Sequence, residues 1–430
     1  MSRADRMTKK NTISKQRSSG FYGRVLKRTF AGAGAKFGAL WVAILVVTAV
    51  FAPFFANTVP LLASQDGKVV APFVRYFTIE DVVFMSAFFI GLFLFLTPLR
   101  RTFSKYLLTF FSLMLIVSLL ANIFVKPPAL IIYDDFRLQQ KQEVYEWQIN
   151  APIPFSARDY MRDVREMPLR EPLAESQFTH YMGTEENGAD VFSRMIHASR
   201  VALSIGFIAT GIALVIGVIL GGLMGYFSGI VDMLGMRLVE IFESVPTLFL
   251  LLTFVAFFGR NIYLIMVIIG LTSWSGYARY ARAEFLKLRK QDYVQAAIAS
   301  GLPLPSILFR HMLPNGIAPL LVSVSFGVAS AILAEATLSF LGLGPVDAPS
   351  WGQMLNQSIK ASTFNWWMAV FPGGAIFMTV FAYNLIGEAL RDALDPKVAN
   401  KGASKTANKD ESSVESSVDS HVSKKTEAAS

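Results

Sequence analysis

The chain contains no cysteine, which excludes disulfides, thiolate nucleophiles and cysteine-held zinc. Histidine is scarce: His180, His197, His311 and His421 are scattered, and none pairs at metal-ligand spacing. No residue is therefore assigned to a metal, and none to catalysis. Charged residues make up only 17% of the chain, below the roughly 25% usual in soluble domains. No Gly-x-x-x-x-Gly-Lys-Ser/Thr segment occurs, so the chain does not hold ATP through a phosphate loop of its own. Nor is there a succession of alternating segments of about 10 residues, the mark of a membrane barrel.

What is present in quantity is apolar. Hydrophobic residues form 53% of the 430, with 36 Phe, and the mean hydropathy is +0.45. They fall in blocks of about 20, the length that crosses a bilayer as a helix. The expected class is an all-α polytopic membrane protein lying in the lipid bilayer. The net charge of +9 does not point to nucleic acid. Its basic residues crowd at segment ends, as the orientation rule for membrane proteins requires, whereas a nucleic-acid site needs a basic face on a folded domain.

Residues 1–36 form a basic N-terminal segment, expected inside the cell, and 37–55 a first uncleaved span. Spans follow at about 82–99 and 106–125, with Arg100, Arg101 and Lys105 between them. The polar segment 126–198 is too long for an unstructured turn and predicts a small ordered periplasmic element. Five further spans are expected at about 201–226, 234–258, 262–274, 316–336 and 367–390, within a core of residues 199–396. The loop 277–315 carries Arg279, Arg282, Lys287, Arg289, Lys290 and Arg310. Its charge and the span count both place it in the cytoplasm. The total is eight spans with both termini cytoplasmic. Residues 397–430 are too polar to offset their ordering entropy and predict a disordered tail, with a regulatory role left open.

Four features stand out. Gly217, Gly221 and Gly225 recur every four residues in one span. Small residues let helix backbones approach in lipid, so this face predicts either tight packing or a sliding contact. Glu243, with Arg237 and Glu240, precedes Pro246, which kinks a helix. Glu243 is either a pathway group or an interfacial one. Glu335 is the clearest carboxylate inside a span, and reads as functional or as a structural hydrogen-bonding group. Finally, Asp292-Tyr293-Val294-Gln295-Ala296-Ala297 leads to Gly301, with Pro303 and Pro305 beyond. Small side chains on one face, a glycine accepting a left-handed backbone and prolines barring continuation predict a short smooth helix. Such a helix suits a partner's groove, although a plain solvated loop would also explain the charge.

Asp292 to Gly301, followed by Arg310-His311-Met312-Leu313-Pro314-Asn315, resembles the coupling-loop motif of bacterial ABC importer permeases, written Glu-Ala-Ala-x-x-x-Gly with Leu-Pro downstream. Three more stretches resemble oligopeptide and dipeptide permeases of the OppC/DppC type: Gly183 to Arg194, Leu338 to Gly344 with Ser350-Trp351-Gly352, and Gly387 to Pro396. Pro60-Leu61-Leu62, Arg75-Tyr76-Phe77 and Ala283-Glu284-Phe285-Leu286 are similar to the YejE-like branch, associated with oligopeptides and microcin C-type antibiotics.

The resemblance implies a type I (MetI-like) permease fold in the bacterial inner membrane. The hairpin 82–125 would be an addition to the usual six spans. It implies a non-catalytic subunit that binds no cofactor itself. Its partners would be a second homologous permease, two ATPase subunits or domains that use ATP, and a periplasmic peptide-binding protein. Asp292, Tyr293, Gln295, Ala296, Ala297, Gly301, Arg310, His311, Leu313 and Pro314 would couple to the ATPase. Gln295 departs from the motif's opening Glu, so docking would rest on shape and on Arg310. Nickel or another small solute is the alternative cargo. A membrane-embedded enzyme would need more than Glu335, and an ion channel would have no use for a coupling motif.

Overall fold

The computed structural model describes residues 21–394, apart from 98–102, 129–130, 143, 164–167, 176–177, 347, 362 and 364. The basic segment before residue 21, the Arg100–Arg101 turn and the tail 397–430 lie outside the described residues.

A short helix α1 (Phe21–Thr29) precedes α2 (Ala33–Val50). The first span thus begins and ends earlier than the expected 37–55. Phe51 leaves helical geometry, and Pro53 sits in the first turn of a separate turn of helix, Ala52–Phe55, where its missing N–H deprives no partner. Next comes a hairpin of β1 (Leu62–Gln65) and β2 (Lys68–Val70). Its two turn residues, Asp66 and Gly67, both have positive φ, 52° and 69°, as tight hairpin turns demand. Helices α3 (Ile79–Leu96) and α4 (Phe103–Phe124) form the additional hairpin, and α3 opens on a reciprocal Thr78–Asp81 cap.

The described residues after α4 carry regular structure. It contains α5 (Tyr133–Lys141) and β3 (Trp147–Ile149), and β3 pairs with β1 to give the sheet order β2-β1-β3. Arg137 is the hub of this module. It meets Asp159 at 2.5 Å, Asp163 at 2.5 Å and Asp134 at 3.0 Å. The polar module therefore draws on residues around 57–70 as well as on the expected segment 126–198.

Helix α6 (Val191–Phe227) begins ten residues before the expected 201 and runs for 37 residues, about 55 Å. The difference has an electrostatic cause. Arg194 and Arg200 look too polar for a helix entering lipid, but both are buried and paired, Arg194 with Glu185 at 3.0 Å and Arg200 with Asp81 at 2.5 Å. The expected single span 234–258 is instead α7 (Gly229–Ser244) and α8 (Thr247–Phe258), bent by 79°. Pro246 stands at the break, and its missing N–H and ring stop a continuous helix. Helix α9 (Ile262–Arg289) continues well past the expected 274. Its 28 residues reach about 42 Å, so the last turns project beyond a hydrocarbon core of about 30 Å. Then come α10 (Asp292–Ala299), a π-helical stretch Ser306–Met312, α11 (Leu313–Phe340), α12 (Trp351–Lys360) and α13 (Trp366–Leu394). Among the described residues seven helices are long and apolar enough to cross a membrane, with the α7–α8 pair as a broken eighth.

Helices α6 and α9 are parallel neighbours: Gly270 lies against Ile212, Gly217 against Tyr277 and Ala278, and Gly225 against Phe285. Helix α11 runs against them, with Gly316 near Leu288 and Val328 near Gly206. Helix α13 packs beside α11 and α2, through Gly387 on Phe326 and Ala382 on Gly38. These contacts give the bundle a polarity. One end carries the sheet, α5 and Asp190, which caps α6. The other end, the base, carries α10, the π-helical stretch, the start of α2 and the end of α13.

Candidate functional site: the basal helix and its supports

The base is built where α9 outlasts the apolar zone. Its end is tied to α7 by ion pairs: Arg282 grips Asp232 with two donors, one at 2.6 Å, and Arg279 pairs with Glu243. Arg289 donates to the Ser228 hydroxyl at 2.6 Å. Glu243, considered above as a pathway group, is thus held in an ion pair at the α7–α9 contact.

After Arg289 the chain turns into α10. Asp292 lies in the first turn, where a carboxylate interacts favourably with the helix dipole. Val294 and Ala297 point inward and join a buried cluster of Phe285, Leu288, Ile307, Leu308 and Met312. The Gln295 amide donates to the Arg289 carbonyl at 2.7 Å. That carbonyl is one of those left over at the end of α9, and a carboxylate at position 295 has no proton to give it. The departure from the Glu of the motif therefore has a local use.

The end of α10 is a complete Schellman motif. Gly301 has φ +71°; its N–H bonds the Ile298 carbonyl at 3.0 Å, and the Leu302 N–H bonds the Ala297 carbonyl at 3.3 Å. Gly301 is needed because only glycine takes that backbone freely. The stretch 306–312 then widens into a π-helix, a rare form that is frequent at functional sites. Pro314 explains its position. It lacks the N–H of a regular turn, and its ring crowds the carbonyl four residues back, at Arg310.

The residues expected to couple divide by direction. Asp292, Tyr293, Gln295, Ala296, Gly301, Arg310 and Pro314 are exposed, His311 and Leu313 are half-buried, and Ala297 is buried. Ala297 is thus a packing residue of the platform. Among the described residues Arg310 makes no ion pair. Asn315 donates to the His311 carbonyl at 2.8 Å, and the shared buried cluster ties α10 to the π-helical stretch that leads into α11. Leu302 and Phe309 add exposed apolar surface, 37% and 49% accessible, at a level where the neighbouring charges exclude lipid. Sequence reasoning missed both; the available signal was two large apolar residues in an otherwise basic loop.

The remaining expected sites lie apart. A Cβ on Gly225 would stand 2.6 Å from Phe285 Cβ and 2.7 Å from the Arg282 carbonyl oxygen, and Gly217 and Gly221 meet α9 backbone as closely. The stripe is the closest approach of α6 and α9. Glu335 is 3% exposed at the far end from the base. It accepts from Ser339 Oγ at 2.6 Å, one turn further along the same helix, beside the place where Gly352 of α12 packs on Ala336.

Residues 217–400 match the family described as binding-protein-dependent transport system inner membrane component. The oligopeptide transport system permease protein OppC of Haemophilus influenzae is 39% identical over 51% of this chain and 70% of its own length. The dipeptide transport system permease protein DppC of Alkalihalophilus pseudofirmus is 37% identical over 54% and 75%. The glutathione transport system permease protein GsiD of Pectobacterium atrosepticum is 36% identical over 57% and 80%. All of these matches leave a large part of this chain uncovered, and the family match itself begins at residue 217, beyond the polar module and the additional hairpin. A polytopic helical bundle, a basal helix ending in Ala-Ala-x-x-x-Gly and this degree of identity lead to one assignment: the chain belongs to the family of binding-protein-dependent transport system inner membrane components.

Proposed function

We propose that this chain is the membrane-spanning subunit of an ATP-driven importer of oligopeptides, acting with a second homologous permease, two ATPase subunits or domains and a periplasmic peptide-binding protein. The relatives named for oligopeptide, dipeptide and glutathione transport support a peptide cargo over nickel. The similarity to the YejE-like branch at Ala283-Glu284-Phe285-Leu286 extends the cargo to peptide-like antibiotics. The base faces the cytoplasm, because it gathers Arg279, Arg282, Lys287, Arg289, Lys290 and Arg310, and positive charge stays inside. Both termini then lie in the cytoplasm and the sheet module in the periplasm.

The observation that carries this reading is the Schellman-ended α10, clamped inward by Val294 and Ala297 and open outward along Tyr293 and Ala296, with Arg310 exposed on the following π-helical stretch. Nucleotide-driven closure of the ATPases moves this helix, and α9 and α11, rooted on either side of it, carry the motion into the bundle. A ligand shifts such a two-state system only by binding one state better than the other. Replacing Gly301 by Pro removes the N–H bonded to Ile298 and demands a negative φ where φ is +71°; Arg310→Glu reverses the exposed cation. Both variants are expected to insert and to abolish peptide uptake while ATP hydrolysis loses its dependence on this subunit. Normal uptake by either stably assembled variant sinks the lever role.

A further inference from the structure

Helices α6, α9 and α11 enclose a recess of about 340 Å³, at the lower end of the roughly 300–1,000 Å³ of ligand pockets. It lies well inside the long helices and is partly open on one side. Its walls carry six hydroxyls, those of Thr210, Ser273, Tyr277, Tyr280, Ser323 and Ser330, and no charged side chain. Ser273, Tyr280 and Ser330 are exposed, although the helices that carry them are apolar along most of their length.

Packing within the bundle accounts for only part of the set: Ser323 Oγ donates to the Leu320 carbonyl at 2.8 Å and the Tyr277 hydroxyl to the Ser323 carbonyl at 3.5 Å. Ser273, Tyr280 and Ser330 have no such bond among the described residues, and hydroxyls left without partners are costly in hydrocarbon. Lipid does not suit the opening either, since an acyl chain neither donates nor accepts a hydrogen bond. Polar groups at such a depth are found where they face a protein partner or a water-filled path. The composition is selective as well. Hydroxyls both donate and accept, so they can pair with amide N–H and carbonyl groups alike, and an uncharged wall discriminates little between cationic and anionic side chains. Gly276 widens the recess: a Cβ added there meets nothing within 4 Å.

We infer that this recess is this chain's wall of the translocation path, a contact site for the main chain of an extended peptide, read through hydroxyls and indifferent to side-chain charge. The inference rests on the peptide-import reading above. Ser330 and Ser273 stand at the mouth, while Thr210 and Tyr277 form the floor.

The absence of cysteine makes a clean test available. Ser330→Cys, Ser273→Cys and, as a lipid-facing control on α11, Leu333→Cys, which is 50% exposed, are introduced singly into the assembled transporter. Each is treated with a membrane-impermeant charged thiosulfonate, and labelling is read by mass on this chain. The expected result is labelling at 330 and 273 that falls during peptide-driven turnover, with none at 333. In parallel, Ser330→Asp is expected to raise the uptake ratio of a lysyl to a glutamyl tripeptide about fivefold over the unmodified transporter, from a charge placed beside the path. Unreactive thiols at 330 and 273, or an unchanged ratio in an assembled Ser330→Asp transporter, overturn the inference and leave the import reading standing. If the unmodified, assembled transporter takes up neither peptide, the import reading itself falls, and this inference with it.

Discussion

Gly221 and Gly211 lie on the same helix and should respond in opposite senses to the same substitution. An alanine Cβ at 221 would lie 2.8 Å from Ala281 Cβ and 3.0 Å from the Ala278 carbonyl carbon. Carbon atoms in contact prefer about 3.5–4.0 Å, so α6 and α9 must separate by roughly 0.7 Å or bend locally. Neither neighbour is a flexible side-chain end, so the cost is that of overpacking, about 1–3 kcal/mol. Against it stands the gain in helix propensity of Gly→Ala, about 0.5–1 kcal/mol. Gly221→Ala is therefore expected to destabilise by about 1 kcal/mol net, within a range of about 0–2.5 kcal/mol. At Gly211 a Cβ meets nothing within 4 Å, so Gly211→Ala keeps only the gain. Equilibrium unfolding of the purified subunit in mixed micelles measures both. Equal shifts for the two variants, or stabilisation by Gly221→Ala, would refute the claim that the stripe is a fixed close contact and would favour a looser, sliding one.

Three more results bear on the structure. Arg200 binds Asp81 and donates to the Ala49 and Val50 carbonyls, so it joins α2, α3 and α6. Arg200→Met leaves a buried carboxylate unpaired and should cost about 3–5 kcal/mol, with much of the loss recovered in Arg200→Met/Asp81→Asn; a loss below about 1 kcal/mol for the single change would show that the hairpin is held elsewhere. Glu335→Gln keeps an oxygen to accept from Ser339, so a stability change under about 1 kcal/mol and near-normal uptake are expected, whereas full loss of transport with normal assembly would give Glu335 a role in the path. Gln295→Glu, which restores the motif's acidic residue, should weaken the α9–α10 joint and raise backbone amide exchange through 290–301; unchanged exchange would make the Gln295–Arg289 bond incidental.

How much was legible in advance differs from element to element. Apolar blocks marked most of the spans, because the bilayer sets a minimum length of hydrophobic sequence. Pro246 and Gly301 marked a bend and a helix end, because proline and glycine act on the backbone wherever they stand. Long-range pairing was out of reach. Arg194 and Arg200 made the start of α6 look like loop, since a lone arginine is costly in a membrane, and only their partners cancel that cost: Glu185 beside Arg194, and Asp81, 119 positions from Arg200.

The sequence by itself determined the class, the approximate spans and the presence of a short capped helix in a basic stretch. All of these follow from local backbone chemistry and from transfer of side chains between water and lipid. Tertiary structure alone decided the rest. It turned Ala297 inward and Ala296 outward, placed Glu243 in an ion pair, and widened 306–312 into a π-helix. It also collected hydroxyls from three helices around one recess. Those outcomes depend on which residues meet across the bundle, and packing between distant segments leaves no periodic trace in a single chain.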